Sequence, residues 1–117
     1  MAVIRIVSNI AVESPEAARN FYVELLGLEV VMDHGWIATL AGETRAAPQL
    51  SVAYEGGSGT PVPDLSIEVD DLDVVLNAAR RMELPIVYGP VTESWGVRRF
   101  YVRDPFGKLL NILSHAE

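Results

Sequence analysis

The second half of this chain repeats the first, and that limits what it can fold into more than any other feature. A shift of 57 positions lays Val7 on Asp64, Ile10 on Ile67, Val12 on Val69 and Val30 on Val87. Each half reads strand, helix, strand, strand, strand. A unit of this size cannot bury a sheet face alone, so the two halves are expected to share an interface. The chain has 117 residues, enough for one domain with one core. The expected division is a module at 1–54, a linker at 55–63 and a module at 64–117.

Local signals place the elements. In Ile4 to Val12 the apolar positions Ile4, Ile6, Ile10 and Val12 alternate, which predicts a strand with that face in a core. Ser14-Pro15-Glu16 opens a helix: serine caps free amides, proline suits the first helical position, and glutamate suits the positive end. Ala18, Phe21, Tyr22, Leu25 and Leu26 form its apolar stripe, and Gly27 ends it. Strands are expected at Leu28 to Met32, Trp36 to Leu40 and Pro48 to Tyr54, with turns at His34-Gly35 and Ala41-Gly42-Glu43. Glu55 to Pro63 reads as a glycine- and proline-rich linker. No Lys-Ser or Lys-Thr pair and no helix start follow those glycines, which argues against a phosphate loop.

In the second half, Leu65, Ile67 and Val69 alternate with Asp64, Ser66 and Glu68. Asp70-Asp71-Leu72-Asp73 opens a helix whose stripe is Leu72, Val75, Leu76, Ala79 and Met82, with Arg80 and Arg81 at its negative end. Strands are expected at Pro85 to Tyr88, Val97 to Arg103 and Leu109 to Ser114. Asp104-Pro105-Phe106-Gly107 is a turn between the last two. The fold class is therefore α+β: two tandem βαβββ modules whose mixed, curved sheets enclose a cleft. One side of each sheet carries the helix-facing alternation, so the other is the expected ligand surface.

Composition narrows the partners. The absence of cysteine excludes disulfides, thiolate metal sites and cysteine nucleophiles. A net charge of −7 repels phosphate backbones and anionic lipid, so neither nucleic acid nor membrane is an expected partner. No apolar run reaches the ~18 residues of a membrane span, and the start lacks a signal-peptide plan. A cytoplasmic protein is expected. Open sheet edges favour a homodimer.

Several segments together resemble the vicinal oxygen chelate superfamily, which includes glyoxalase I, bleomycin-resistance proteins, fosfomycin-resistance enzymes and extradiol dioxygenases. They are Asn9-Ile10-Ala11-Val12, Ala18-Arg19-Asn20-Phe21-Tyr22, Leu25-Leu26-Gly27-Leu28-Glu29-Val30, Ile67-Glu68-Val69-Asp70-Asp71 and Phe100 to Gly107. The resemblance spans nearly the whole chain and speaks for the fold; one fold hosts many reactions. Metal-dependent members carry His, Gln or Glu ligands at positions that the motifs match to Val7, Ser51, Asp64 and Asn111. Valine cannot ligate, and serine and asparagine are weak neutral donors, so the resemblance implies neither metal nor other cofactor here.

The same resemblance places Arg99 and Tyr101 on the cleft side and Phe100 and Val102 in the core. Arg99 can hold an oxyanion through its donor fork, and Tyr101 can donate or stack; the plainer reading is a solvated face with paired charges. Trp36 and Trp95 are candidate aromatic walls, or else core and interface filler. Asp64 and Glu68 share a strand face and are the candidate catalytic carboxylates, with strand-start and exposed roles as the plainer alternative. His34 stands beside Asp33 in a turn, and His115 lies near the end of the sequence. Two functions are expected to compete. One is metal-free binding of a small organic molecule through Trp36, Ser51, Asp64, Trp95, Arg99, Tyr101 and Asn111, as in the bleomycin-resistance branch. The other is a metal-free lyase or isomerase with Asp64 or Glu68 as base.

Overall fold

A computed structural model describes residues 1–42 and 48–115. The elements run β1 (Val3–Ala11), α1 (Pro15–Leu26), β2 (Glu29–Asp33), β3 (Ile37–Ala41), β4 (Gln49–Ala53), β5 (Leu65–Val69), α2 (Leu72–Arg81), β6 (Tyr88–Thr92), β7 (Val97–Arg103) and β8 (Leu109–His115). This is βαβββ written twice. The turn expected at Ala41-Gly42-Glu43 falls partly outside the described residues. No described helix is long and apolar enough to cross a membrane.

The chain forms two compact units, Val7–Val62 and Pro63–Glu117 together with Met1–Ile6. The first residues are tied into the later unit by a reciprocal pair: the Ala2 amide donates to Asp70 Oδ1 at 2.8 Å, and the Asp70 amide to the Ala2 carbonyl at 3.1 Å.

In the unit of Val7–Val62, β1 runs parallel to β4, while β3 pairs antiparallel with β4 and β2. Ser14 caps α1 by accepting the Ala17 amide at 3.2 Å, and Gly27 closes it in the left-handed region at φ 66°. The apolar face expected to be buried is not. Ile4 and Ile6 are 60 % and 57 % exposed, whereas Val7 on the opposite face is 3 % exposed. Phe21, Leu25 and Leu26 of α1 are exposed too, and Pro15 is the buried residue of that helix. Alternation marks an apolar face correctly, but it does not say what will cover it.

The segment expected as a linker contains a hydrogen-bonded turn. The Gly56 amide donates to the Thr60 carbonyl, and the Thr60 hydroxyl to the Gly57 carbonyl, both at 2.8 Å.

In the later unit β8 lies between β5, to which it is parallel, and β7, with β6 antiparallel on the outer edge of β7. Asp71 caps α2 by accepting the Val74 amide. Leu72, Leu76 and Ala79 recur at helical spacing and pack with Val69, Phe100, Val102 and Ile112 of the sheet into the main apolar cluster. Each fully buried side chain of this kind contributes about 1.5–3 kcal/mol. The second strand of this half starts at Tyr88 rather than ending there, so the expected strand at Pro85 to Tyr88 is displaced. Its Pro90 is tolerated because β6 is an edge strand.

Candidate ligand-binding site

Register decides what shares a face. Ser66 pairs with Asn111, Asn111 with Tyr101, and Tyr101 with Tyr88, so these four form one row across β5, β8, β7 and β6. Glu68, Leu113 and Arg99 form the next row on the same side. Phe100, Val102 and Ile112 point the other way, into the core around α2. Tyr101 and Arg99 thus stand opposite Phe100 and Val102, as expected of alternate residues in a strand.

Asn111 is 7 % exposed. Its Nδ2 donates to Ser66 Oγ at 3.1 Å, while its Oδ1 is buried and has no hydrogen-bond partner among the described residues. Turning the amide over would move the deficit to the nitrogen without removing it. Such a group costs about 1–3 kcal/mol, which a ligand with a hydroxyl or amide would recover.

Arg99 is 2 % exposed and lies in an aromatic box. Its Nη2 and Nε are 2.6 and 2.8 Å from Glu93 Oε2, and Nη1 donates to Tyr101 Oη at 2.9 Å. The rings of Tyr88, Trp95 and Tyr101 lie 5.3, 5.0 and 5.0 Å from the guanidinium carbon. Tyr88 Oη reaches both oxygens of Glu93 at 3.2 Å. The hairpin between β6 and β7 supplies Glu93 and Trp95, with the Glu93 amide bonded to the Val97 carbonyl. Charge and donors of Arg99 are therefore directed inward, to Glu93 and Tyr101.

Asp64 and Glu68 stand four residues apart, about 13 Å along an extended chain, and have separate partners. Asp64 Oδ2 accepts the Leu109 amide at 2.8 Å. Glu68 Oε1 lies 3.1 Å from Arg5 Nε, and its Oε2 lies 2.9 Å from His115 Nδ1. The structure does not assemble the two carboxylates into one acid–base pair.

Trp36 and Ser51 belong to the other unit. Trp36 stacks on His34 with ring centres 6.2 Å apart, and Ser51 Oγ is buried 2.7 Å from Thr39 Oγ1. There, Pro15, Glu16, Arg19, Asp33, Gly35 and Ala38 line a small open cavity of about 190 Å³. The Gly35 amide, and then Arg19 at 2.6 Å, hold the Asp33 carboxyl below its ordinary value.

Glu93, Tyr88 and Ser66 are site residues that sequence reasoning missed. The signal for Ser66 was present, since it shares the alternation of Asp64 and Glu68. Glu93 was hidden because only the hairpin geometry turns it back onto Arg99.

The model of the glyoxalase/bleomycin resistance protein/dioxygenase superfamily matches residues 3–112. The chain belongs to this superfamily. No curated protein matches it. Among solved structures it is similar to the NAD-dependent benzaldehyde dehydrogenase from Legionella pneumophila, at 18 % identity and TM-score 0.76 over 95 % of this chain and 99 % of that one. It is similar to the Streptomyces coelicolor methylmalonyl-CoA epimerase at 21 % identity and TM-score 0.72, covering 99 % and 100 %. A glyoxalase/bleomycin resistance protein/dioxygenase superfamily member from Vibrio splendidus 12B01 gives 19 % and 0.67, covering 97 % and 99 %. At these identities the likeness speaks for the shared fold.

The residues present do not fit the superfamily's divalent metal. Val7 has no donor atom, Ser51 is engaged with Thr39, Asp64 with the Leu109 amide, and Asn111 with Ser66. Among the described residues no three His, Cys, Asp or Glu side chains converge on a possible ion.

Proposed function

We propose that this superfamily member binds a small organic molecule against the polar face of β5, β8 and β7, with Asn111 as its anchor. The observation that carries the reading is the buried amide of Asn111, one end held by Ser66 and the other unmatched. Buried polar groups without a partner are rare in native proteins, and each calls for an explanation in strain, function or a bound species; a ligand group is the explanation adopted here. The matching ligand offers a hydroxyl or amide beside an apolar body, because Leu109 and Leu113 flank Asn111 on the same strand face. The Arg99 box supports the same reading as a rigid wall.

Thermal shift against a library of hydroxylated, amide-bearing and cationic organic molecules tests this. A ligand at 100 times its Kd raises stability by about 2.7 kcal/mol. The expected result is a set of hits whose shift disappears in Asn111→Leu. Shifts that survive this substitution would place the site elsewhere, and a library without hits would end the binding reading.

The second reading, a metal-free lyase or isomerase, is favoured by one observation. Glu68 is in contact with a histidine, His115, whose outer nitrogen can receive a proton.

A further inference from the structure

His115 is the last described residue of β8, four positions beyond Asn111 and on the same strand face. Its Nδ1 lies 2.9 Å from Glu68 Oε2. A carboxylate only accepts, so the shared hydrogen belongs to Nδ1, and the neutral ring carries its lone pair on Nε2. The His115 side chain is 55 % exposed, whereas that of Glu68 is 15 % exposed. Glu68 is fixed from behind by Arg5, 3.1 Å from its other oxygen. Three strands, β1, β5 and β8, thus hold one imidazole with its inner nitrogen committed and its outer nitrogen presented. Among the described residues, the charged side chain in contact with the ring is Glu68, and Arg5 stands behind it.

We propose that Glu68 and His115 form a proton-accepting dyad beside the ligand surface. Nε2 takes the proton of a weakly acidic hydroxyl: the O–H bond breaks, the N–H bond forms, and the electron pair stays on oxygen. Glu68 steadies the imidazolium that results and acts as a positioning residue. This rests on the reading above for the ligand, which to meet both groups must reach from Asn111 to His115, four residues or about 13 Å along β8. It also assigns the proton chemistry to a histidine, with the carboxylate behind it.

Two measurements test the dyad without a known ligand. Nitrogen-15 spectra of the two imidazoles, His34 and His115, should show neutral His115 protonated on Nδ1, the less common form in free histidine. Glu68→Gln should move it toward protonation on Nε2. Hydrolysis of p-nitrophenyl acetate, in which water supplies the O–H, should proceed above the buffer rate. His115→Gln should return it to that rate, Glu68→Gln should lower it by disturbing the tautomer and position of the ring, and His34→Gln should leave it unchanged. An Nε2-protonated His115 in the unaltered protein, or hydrolysis indifferent to His115→Gln, would overturn the dyad. Because the spectra are recorded without ligand, they are independent of the thermal-shift outcome for Asn111→Leu.

Discussion

Arg99 is buried against Glu93, Tyr101 and two further aromatic rings, so its charge is spent inside the protein. Alternation along β7 and the superfamily register set it opposite Phe100 and Val102. Its partner, Glu93, is six residues earlier and reaches it only because the β6–β7 hairpin folds back. Removing one member of a buried pair strands the other charge. Glu93→Ala should therefore cost about 3–5 kcal/mol in urea unfolding, while replacing Arg99 and Glu93 together by Met and Leu should cost far less. Asp33 gives a pH-dependent counterpart. The Gly35 amide, followed by Arg19, lowers its folded-state pKa, with desolvation opposing them. A lowered value means that the stabilisation is present above the unfolded-state pKa and is lost as pH falls through the folded one. Asp33→Asn should accordingly be less stable than the parent near neutral pH, with the gap closing in strong acid. A constant gap across an acid titration of unfolding would contradict this.

Among elements, both helix starts were legible because their signals are local. Ser14 and Asp71 are three residues from the amides they accept, Ala17 and Val74. Asp71→Ala should lower stability by about 1 kcal/mol, as loss of a cap does. The edge strand β6 was misplaced because Gly89-Pro90 reads as a breaker, and only its outer position in the sheet makes a proline acceptable. Glycine at 89 is required by space as well as by its φ of 77°. A Cβ there would stand 2.6 Å from the Arg99 carbonyl oxygen. Gly89→Ala should destabilise by about 1–3 kcal/mol and loosen the Arg99 box, detectable as a change in Trp95 fluorescence.

For the molecule as a whole, the repeat made the βαβββ plan readable from the sequence, and the superfamily match over residues 3–112 agrees with it. What could not be read was where the apolar surface goes. Ile4, Ile6 and Ile10 on β1, and Phe21, Leu25 and Leu26 on α1, all remain exposed. Exposed apolar side chains of this kind are where association is to be looked for, and the homodimer expected from the open sheet edges is tested directly. Light scattering at micromolar concentration should give twice the 12.8 kDa chain mass, and Phe21→Glu with Leu25→Glu should reduce it to one chain. A monomeric mass for the unaltered protein would refute the dimer. The proposed site was less legible than the fold, because the proposal turns on one buried amide whose deficit appears only once Ser66, Asn111 and Tyr101 are aligned across three strands.

That amide also offers the most direct test. Its side-chain NH₂ signal can be assigned by its absence in Asn111→Leu and followed as a thermal-shift hit is titrated in. The Asn111 signal should move with the ligand while those of Asn20 and Asn77, exposed on the two helices, stay in place. A saturating ligand that leaves the Asn111 signal where it was would contradict the proposed site.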